Sequence, residues 1–308
     1  MEIKKIVFNP NLDINKDVAL TIGEFDGIHL AHYKLLKQTL DIAGKENCLS
    51  AVMTFDPHPD IVIKHLDNFQ SIYDLDTKIE KIKDMGFDLM YLVSFDQKFA
   101  RLEHDVFEEE VLKCLCVKHV IVGDDFHYGY KGLGNYKTLE NKFKVSVMPQ
   151  MVIDNQKISS TYIKELLNNG KIKEANYLLG ECFKMKTEVI HGRKVGNTIN
   201  VPTANLQLMA NYPSLKRGVY VVKCYFDEQE YLGICNIGHN PSFNYYENLS
   251  YEVHIIEDGF NKDLYGQKID VSFIDYLREE IKFGSIEEFK KQIENDKKQA
   301  FMIVNNRL

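Results

Sequence analysis

TIGEFDGIHLAH, residues 21–32, is the stretch around which the first part of the chain is organised. It lies between an apolar run, Val18–Ile22, and an amphipathic segment covering residues 30–43. A buried strand that enters a glycine-containing turn and leaves into a helix is typical of α/β proteins, which use such turns to present backbone N–H groups to phosphate. We therefore interpret the stretch as a phosphate-binding turn.

Two histidines follow this turn. His29 and His32 are three residues apart, so in a helix they share one face of the first turn, where imidazole donors can add to the positive end of the helix dipole. Two other interpretations stay open. Glycine-containing turns also join strands to helices without binding anything, and a histidine pair can hold a metal ion, although no third ligand is obvious nearby.

Length and composition favour two globular domains. The chain has 308 residues, more than one hydrophobic core usually holds. It carries 38 Lys+Arg against 45 Asp+Glu, a net charge of −7, without a basic block, which disfavours a nucleic-acid partner. We find no apolar run of membrane-spanning length and no apolar core of a secretion signal. We expect a cytoplasmic protein, a monomer or weak homo-oligomer, with reduced and chemically inert cysteines.

The first 150 residues predict a Rossmann-like α/β domain. Apolar runs at residues 18–22, 49–55, 89–95, 120–123 and 145–148 alternate with helical patterns at residues 30–43, 77–85 and 106–116. Strands rich in Val, Ile and Leu that are separated by helices predict a parallel sheet covered on both faces. Ligands of such sheets bind at the carboxyl ends of the strands.

Two further loops follow strands of this sheet. TFDPHP, residues 54–59, contains two prolines that make an extended, rigid loop. Such a loop can hold an aromatic ring or a ribose, or it can be a stiff connector. VGDDFHYGYKGLG, residues 122–134, combines glycines, acids and aromatic rings, which is typical of a mobile, ligand-closing segment.

The segment ISSTYIKELL, residues 158–167, opens another predicted helix. One hydroxyl of Ser159, Ser160 or Thr161 can cap this helix, which is the simpler interpretation. A helix start rich in hydroxyls, with Lys164 one turn further on, can also bind a polyphosphate.

The pattern changes after Gly180. Strand-like runs at residues 185–190, 219–226, 231–236, 251–256 and 269–273 follow one another without an intervening helical pattern, which predicts a closed antiparallel β-barrel. We place the boundary after residue 183, giving domains 1–183 and 184–308. Ser285 and Glu288 form a capping box at the start of a C-terminal amphipathic helix, expected to pack on the barrel or between the domains.

The loop GRKVGNTINVPTAN, residues 192–205, is the first candidate site of the barrel half. Thr203 and Asn205 are two residues apart, so in an extended chain both side chains point to one side and both oxygens could reach one Mg²⁺. The alternative is a turn beside a proline. The residues of this loop that could fold over phosphates are Gly192, Arg193, Lys194 and Gly196.

The strand-like run YEVHII, residues 251–256, supplies a candidate carboxylate. Glu252 and His254 alternate with apolar neighbours, so both point to the face opposite Val253. Glu252 is therefore either a solvated strand residue or a general base.

Together these motifs resemble the bifunctional riboflavin kinase/FAD synthetases of bacteria. Residues 23–32 resemble the G-x-F-D-G-x-H-x-G-H signature of the adenylyltransferase half, with Ala31 in place of its last glycine. Residues 159–164 resemble its S-S-T-x-I-R pattern, with Lys164 in place of arginine. The barrel half is similar to riboflavin kinase at, in order, residues 192–196, 202–205, 218–220, 236–238, 252–254, 263–266 and 277–278.

This resemblance implies two successive reactions. In the barrel, Thr203 and Asn205 would hold Mg²⁺ and the phosphates of ATP, Glu252 would act as the base that activates riboflavin, and Arg278 would help cover the flavin of the product FMN. In the first domain, FMN would attack a second ATP to give FAD and pyrophosphate. The phosphate contacts implied for this second step are Gly23, Phe25, Asp26, Gly27, His29, His32, Ser160, Thr161 and Lys164. The implied flavin contacts are Asp56, Pro57, His58, Asp125, Phe126 and Tyr128.

The two departures from the family pattern predict a slower adenylyltransferase. Ala31 adds a methyl group where glycine permits close approach of the nucleotide, and Lys164 lacks the bidentate fork of arginine. Losing one such phosphate contact costs about 1.5 to 3 kcal/mol, which is roughly ten- to a hundredfold in rate. The alternative functions are a flavin- and nucleotide-binding regulator, or a nucleotidyltransferase for a different phosphate substrate.

Overall fold

A computed structural model of the chain describes residues 1–7, 16–191, 203–239, 249–257, 259–260 and 262–305. The packing divides the chain into two compact units, Met1–Ser160 (the first unit) and Thr161–Leu308 (the second unit). The functional boundary after residue 183 stays a prediction, since packing reports only which elements touch. Among the described residues no helix is long and apolar enough to cross a membrane.

The elements of the first unit alternate between strands and helices. Its strands are β1 (Glu2–Ile6), β2 (Val18–Ile22), β3 (Leu49–Asp56), β4 (Leu89–Ser94), β5 (Val117–Gly123), β6 (His127–Tyr128), β7 (Gly134–Asn135), β8 (Lys144–Met148), β9 (Val152–Ile153) and β10 (Gln156–Lys157). Its helices are α1 (Leu30–Glu46), α2 (Pro59–Lys64), α3 (Leu75–Asp84), α4 (His104–Phe107) and α5 (Tyr136–Leu139).

The predicted parallel sheet is confirmed. In the described part of the chain it has six strands in the order β1-β4-β3-β2-β5-β8, and all neighbours are parallel. The chain runs outward from β2 through β3 to β4 and then returns to the other side of β2 with β5. The strand order therefore reverses between β2 and β5, and the crevice at such a point is where open α/β sheets bind ligands.

The sequence pattern does not predict strand β1, because its apolar signal is weak. Its residues EIKKI are mostly exposed, and Ile6 alone is fully buried. An edge strand buries little side-chain area, so lysines are tolerated there and hide the apolar signal.

Helix α1 is one turn longer than predicted. It buries Leu35, Leu36, Thr39 and Ala43 and then continues past Gly44 to Glu46. The helix ends because Asn47 adopts a left-handed conformation with φ 53°, which asparagine tolerates better than most residues.

The predicted helix at residues 106–116 is different in the structure. Helix α4 ends at Phe107 and continues as a π-helical turn, Glu108–Leu112. Such turns are rare and occur frequently at functional sites.

The second unit contains the predicted antiparallel barrel. Its described strands close in the order β11-β12-β15-β14-β13-β16. They are β11 (Phe183–Ile190), β12 (Ala204–Leu208), β13 (Gly218–Phe226), β14 (Gln229–His239), β15 (Leu249–Ile255) and β16 (Lys268–Arg278). The sequence pattern does not predict strand β12, because ANLQL carries little apolar signal and its first two residues belong to the predicted loop 192–205.

Three helices belong with this barrel: α6 (Ser160–Asn168), α7 (Ile172–Leu179) and α8 (Ile286–Asn305). Asn176 of α7 is buried and donates to the carbonyl of Phe273, while its side-chain oxygen accepts from the backbone N–H of Phe183. Helix α8 packs on the outer face of the barrel, as predicted, through Ala300 against Val219 and neighbouring aliphatic residues. The residues on the opposite face of these strands, such as Tyr220, fill the barrel interior.

Candidate active sites

The turn after β2 has an unusual backbone. Phe25, Gly27 and Ile28 have φ values of 49°, 81° and 40°, all in the left-handed region. Two of these residues are not glycine. Holding a non-glycine residue in this conformation costs of order 1 to 3 kcal/mol, and such residues cluster at functional sites. The turn is held by Phe25, which is fully buried, with its ring 3.1 Å from the position of a Cβ on Gly23. A side chain at position 23 would therefore require the Phe25 ring to shift by a few tenths of an ångström.

The two histidines lie together at the start of α1. His29 is the N-cap, and its Nδ1 accepts from the backbone N–H of His32 at 3.3 Å. The proton of the neutral His29 ring is therefore on Nε2. The two rings stack with centroids 3.7 Å apart. Among the described residues, none bonds the buried Nδ1 of His32, so this nitrogen could face a ligand.

Burial keeps both histidines neutral. It lowers the pKa of His29 to about 4, against the nearby charge of Asp26, which raises it. Burial also lowers the pKa of His32 well below its ordinary value, and His29 adds to this effect. At neutral pH these side chains therefore interact as N–H donors or lone-pair acceptors and not as cations.

The carboxylate of Asp26 ties the turn to the surrounding chain. It is buried and accepts from the backbone N–H of Ile72 at 2.7 Å, and the carbonyl of Asp26 accepts from Ser160 Oγ at 2.7 Å. Ser160 thus lies directly at the turn, as its candidate role requires. Lys78 also contacts the turn, and no sequence pattern predicts this. It is a buried lysine of α3 whose Nζ donates to the carbonyl of Glu24 at 2.7 Å.

The loop after β3 lies beside the same turn. His58 caps α2 through Nδ1, and its Nε2 is 2.5 Å from Glu24 Oε2. Its ring stacks on Phe69 with centroids 4.0 Å apart. Asp56 and Pro57, joined by a cis peptide bond, precede it at the carboxyl end of β3.

The loop after β5 lies on the other side of β2. Asp125 is exposed, with its carboxylate 2.5 Å from Lys157 Nζ. Phe126 is partly buried and stacks on Tyr128 with centroids 5.5 Å apart. Tyr128 is buried, and its hydroxyl bonds Glu108. The parallel sheet thus brings three predicted loops to one edge.

The barrel carries a second set of polar side chains. Asn205 of β12, Glu252 of β15 and Asn236 of β14 are direct cross-strand partners, so their side chains lie in one row on the same face. All three are half-buried, and Thr203 precedes this row just before β12. Burial raises the pKa of Glu252, and the negative charge of Glu280 raises it further.

Glu280 was not predicted as a site residue. Its Oε1 lies 2.7 Å from the position of a Cβ on Gly238, which is two residues after Asn236 on the same face. Only the strand register brings these residues together, so Asn236 and Glu280 could not be assigned from the linear sequence.

Arg278 forms an ion pair with Asp296 of the C-terminal helix α8. Its Nε donates to Asp296 Oδ1 at 2.9 Å and its Nη2 to Asp296 Oδ2 at 2.7 Å, while Nη1 donates to the carbonyl of Glu279. Asp296 is fully buried and also accepts from Gln292. The prediction that Arg278 covers a flavin stays a prediction.

The remaining predicted phosphate contacts belong to helix α6 and to the predicted loop before β12. Thr161 is exposed and Lys164 half-buried on α6. The predicted phosphate contacts Gly192, Lys194 and Gly196 lie outside the described residues.

Known proteins are similar to both halves of the chain. Residues 12–162 match the FAD synthetase family model and residues 179–304 the riboflavin kinase model. The bifunctional riboflavin kinase/FMN adenylyltransferase of Listeria monocytogenes is 38% identical, covering 92% of this chain and 91% of the relative. The protein of the same name from Bacillus subtilis is 37% identical, covering 93% and 92%.

A solved structure shares the fold over nearly the full length. It is named as a macrolide-efflux protein from Streptococcus pneumoniae and is 30% identical, with a TM-score of 0.90 over 97% of this chain and 98% of that chain. From the site geometry and these similarities together, the chain belongs to the family of bifunctional riboflavin kinase/FMN adenylyltransferases.

Proposed function

We propose that this chain phosphorylates riboflavin to FMN and then adenylylates FMN to FAD, using ATP in both steps. The observation that carries the proposal is the row Asn205, Glu252 and Asn236, a half-buried carboxylate between two amides on the barrel surface. The second observation is the strained turn at the point where the order of the parallel sheet reverses. The row supplies the carboxylate that the kinase step needs, and the turn supplies the backbone N–H groups that the adenylyltransferase step needs for phosphate.

In the kinase step, Glu252 accepts the proton of the riboflavin 5′-hydroxyl while the oxygen attacks the γ-phosphorus of ATP. The bond between the γ-phosphorus and the bridging oxygen breaks, and ADP leaves. A carboxylate whose pKa is raised by burial and by Glu280 is a stronger base than an exposed one. Catalysis otherwise depends on positioning and charge neutralisation.

Oxygen donors suit Mg²⁺, and the side chains of Thr203 and Asn205 would hold it together with the ATP phosphates. The described residues contain no cluster of three or more His, Cys, Asp or Glu side chains that could hold a metal ion. Bound there, Mg²⁺ would neutralise charge on the phosphates.

In the adenylyltransferase step, a phosphate oxygen of FMN attacks the α-phosphorus of ATP and pyrophosphate leaves. Neutral His29 and His32 and the N–H groups of the turn, which contains Gly23 and Gly27, stabilise the phosphate charge. Ser160 lies at the same turn, whereas Thr161 and Lys164 are assigned to this step by the family pattern alone.

The FMN ring would lie against the loops after β3 and β5. Their candidate contacts are Asp56, Pro57, His58, Asp125, Phe126 and Tyr128. Both loops flank the turn at one edge of the sheet, which supports this assignment. Arg278 would contribute to the flavin site of the kinase.

We assign residues 1–183 to the adenylyltransferase and residues 184–308 to the kinase. A cytoplasmic location, small-molecule substrates without nucleic acid, and a monomeric or weakly associated state complete the proposal. The relatives are named for both activities, and this favours neither a binding regulator nor a transferase for another substrate.

The test separates the two steps in one chain. The protein with riboflavin, ATP and Mg²⁺ should give FMN and then FAD, which chromatography with flavin fluorescence distinguishes. Glu252→Gln should slow FMN formation about 10²- to 10⁴-fold, the usual contribution of a general base, and still convert added FMN to FAD.

The matched control is Glu230→Gln, which removes an exposed carboxylate of the same barrel that forms a surface ion pair with Lys223. It should leave both rates unchanged. Equal FMN formation by the Glu252→Gln and wild-type chains would contradict the proposed kinase mechanism.

A further inference from the structure

The first unit contains a buried carboxylate that belongs to none of the sequence motifs. Glu108 is 2% exposed and lies at the start of the π-helical turn after α4. Its Oε1 accepts from the hydroxyl of Tyr128 at 2.5 Å and is 3.3 Å from Nδ1 of His104. Its Oε2 is 2.9 Å from Lys142 Nζ. The carboxylate therefore has partners at both oxygens.

The main partner of Glu108 lies in the loop after β5. The Tyr128 hydroxyl is also 2.9 Å from Thr138 Oγ1, so it is fixed from two sides. Burial raises the pKa of Tyr128, and its hydrogen bond to Glu108 raises it further, so the phenol keeps its proton and donates. A hydrogen bond to an ionised acceptor is roughly twice as strong as one between neutral groups.

The rest of the loop is fastened to the same segment. A Cβ on Gly129 would lie 2.8 Å from the backbone of His104, and one on Gly134 would lie 2.7 Å from the His104 side chain. The backbone N–H of Tyr130 donates to the carbonyl of Leu102 at 2.6 Å. Side chains larger than hydrogen at these two glycines would push the loop away from α4.

The position of Tyr128 affects a neighbouring aromatic ring of the same loop. Phe126 is partly buried and lies nearly parallel to Tyr128, with an angle of 16° between the rings. Tyr128 has its hydroxyl in the buried network and its ring face under Phe126. The orientation of Phe126 thus depends on where Tyr128 is held.

We propose that Glu108 is a positioning residue for FMN binding. Through Tyr128 it fixes Phe126 in the orientation in which that ring stacks on the flat ring system of FMN. The inference rests on the proposed adenylyltransferase function and adds a residue that does not itself touch the substrate. Tyr128 acts with Glu108 as part of the support.

Two features argue for positioning beyond simple stability. Burying a carboxylate costs desolvation free energy that an apolar side chain of similar volume would not, so Glu108, which is 2% exposed, is an inefficient way to stabilise a fold. The carboxylate also lies on a π-helical turn, a local irregularity that frequently marks functional sites.

The test uses the full-length chain and two conservative variants. Tyr128→Phe removes only the hydroxyl, and Glu108→Gln removes only the charge. Each should raise the KM for FMN about tenfold, since a weakened hydrogen bond to a charged group is worth about one factor of ten or more. The KM for ATP and the riboflavin kinase rate of the same chain should stay within about twofold of wild type, the ordinary scatter for untouched sites.

The control is Glu110→Gln, an exposed carboxylate of the same π-helical turn. It should leave every constant unchanged. The double variant of Glu108 and Tyr128 should have about the same KM for FMN as the worse single variant, because both substitutions act on the same hydrogen bond. Fully multiplicative effects, or an unchanged KM for FMN in both single variants, would overturn the proposal.

A binding measurement, which requires no catalysis, tests this inference separately from the proposed function. Stacking on Phe126 should quench FMN fluorescence on binding, and the quenching curve of Tyr128→Phe should shift to about tenfold higher protein concentration. A wild-type chain that quenches FMN and makes no FAD would refute the proposed function alone. Superimposable quenching curves for wild type and Tyr128→Phe would refute the positioning role alone.

Discussion

The pair of Arg278 and Asp296 gives the sharpest energetic prediction. Asp296 is fully buried, and the Arg278 side chain is 18% exposed, so neither charge is well solvated. Removing one partner of a buried pair typically costs about 3 to 5 kcal/mol, because the other charge stays buried without compensation. Asp296→Asn keeps the shape and one acceptor, so we expect about 3 kcal/mol, the lower end of that range.

The measurement must report on this region alone, since a chain of two units need not unfold in one step. Hydrogen exchange followed by mass spectrometry meets this need, because peptides from β16 and α8 can be read separately. A loss of about 3 kcal/mol corresponds to roughly 150-fold faster exchange where the amides open together with this contact. Peptides from the parallel sheet should be unchanged.

Glu294→Gln is the matched control on the same helix. Glu294 is 64% exposed and pairs with Lys297 at 3.1 Å, and such surface pairs are worth about 0 to 1 kcal/mol. Asp296→Asn with exchange rates equal to this control would refute the reasoning, because the pair would then not hold α8 on the barrel.

Two further predictions concern the first unit. His29 has its pKa lowered to about 4 from an ordinary 6.5, so its contribution to stability is full above pH 6.5 and is lost as the pH falls towards 4, by up to about 3 kcal/mol. His29→Asn keeps a good N-cap. Measured by calorimetry, this variant should lose less stability than wild type between pH 7 and pH 4.5, and identical losses would contradict the lowered pKa of His29. The double variant Ala31→Gly with Lys164→Arg should form FAD roughly ten- to a hundredfold faster, and an unchanged rate of FAD formation from FMN would show that neither departure limits this step.

The sequence alone determined the two kinds of architecture. Mostly apolar runs such as Val18–Ile22 that alternate with helical patterns predict strands covered on both faces, so the parallel sheet followed from local pattern. In the barrel, the alternation of Glu252 and His254 with Val253 predicted that Glu252 lies on the face opposite Val253, and the strand register agrees with this. These features depend on neighbours in sequence, where propensity and periodicity act.

Only the tertiary structure decided which distant residues meet. The row of Asn205, Glu252 and Asn236 exists because three strands pair in one register, and a one-residue slip would turn these side chains inward. Glu108 is one of three consecutive glutamates in the sequence, and only the fold buries it and leaves its neighbours exposed.

The opening stretch shows both sides of this division. Its glycines and histidines predicted a turn into a helix from sequence alone. That both histidines are neutral, that Phe25 supports the turn from the core and that Lys78 reaches it from α3 follow from burial and from contacts between remote elements. Desolvation and register depend on the whole fold, and no short stretch of sequence contains them.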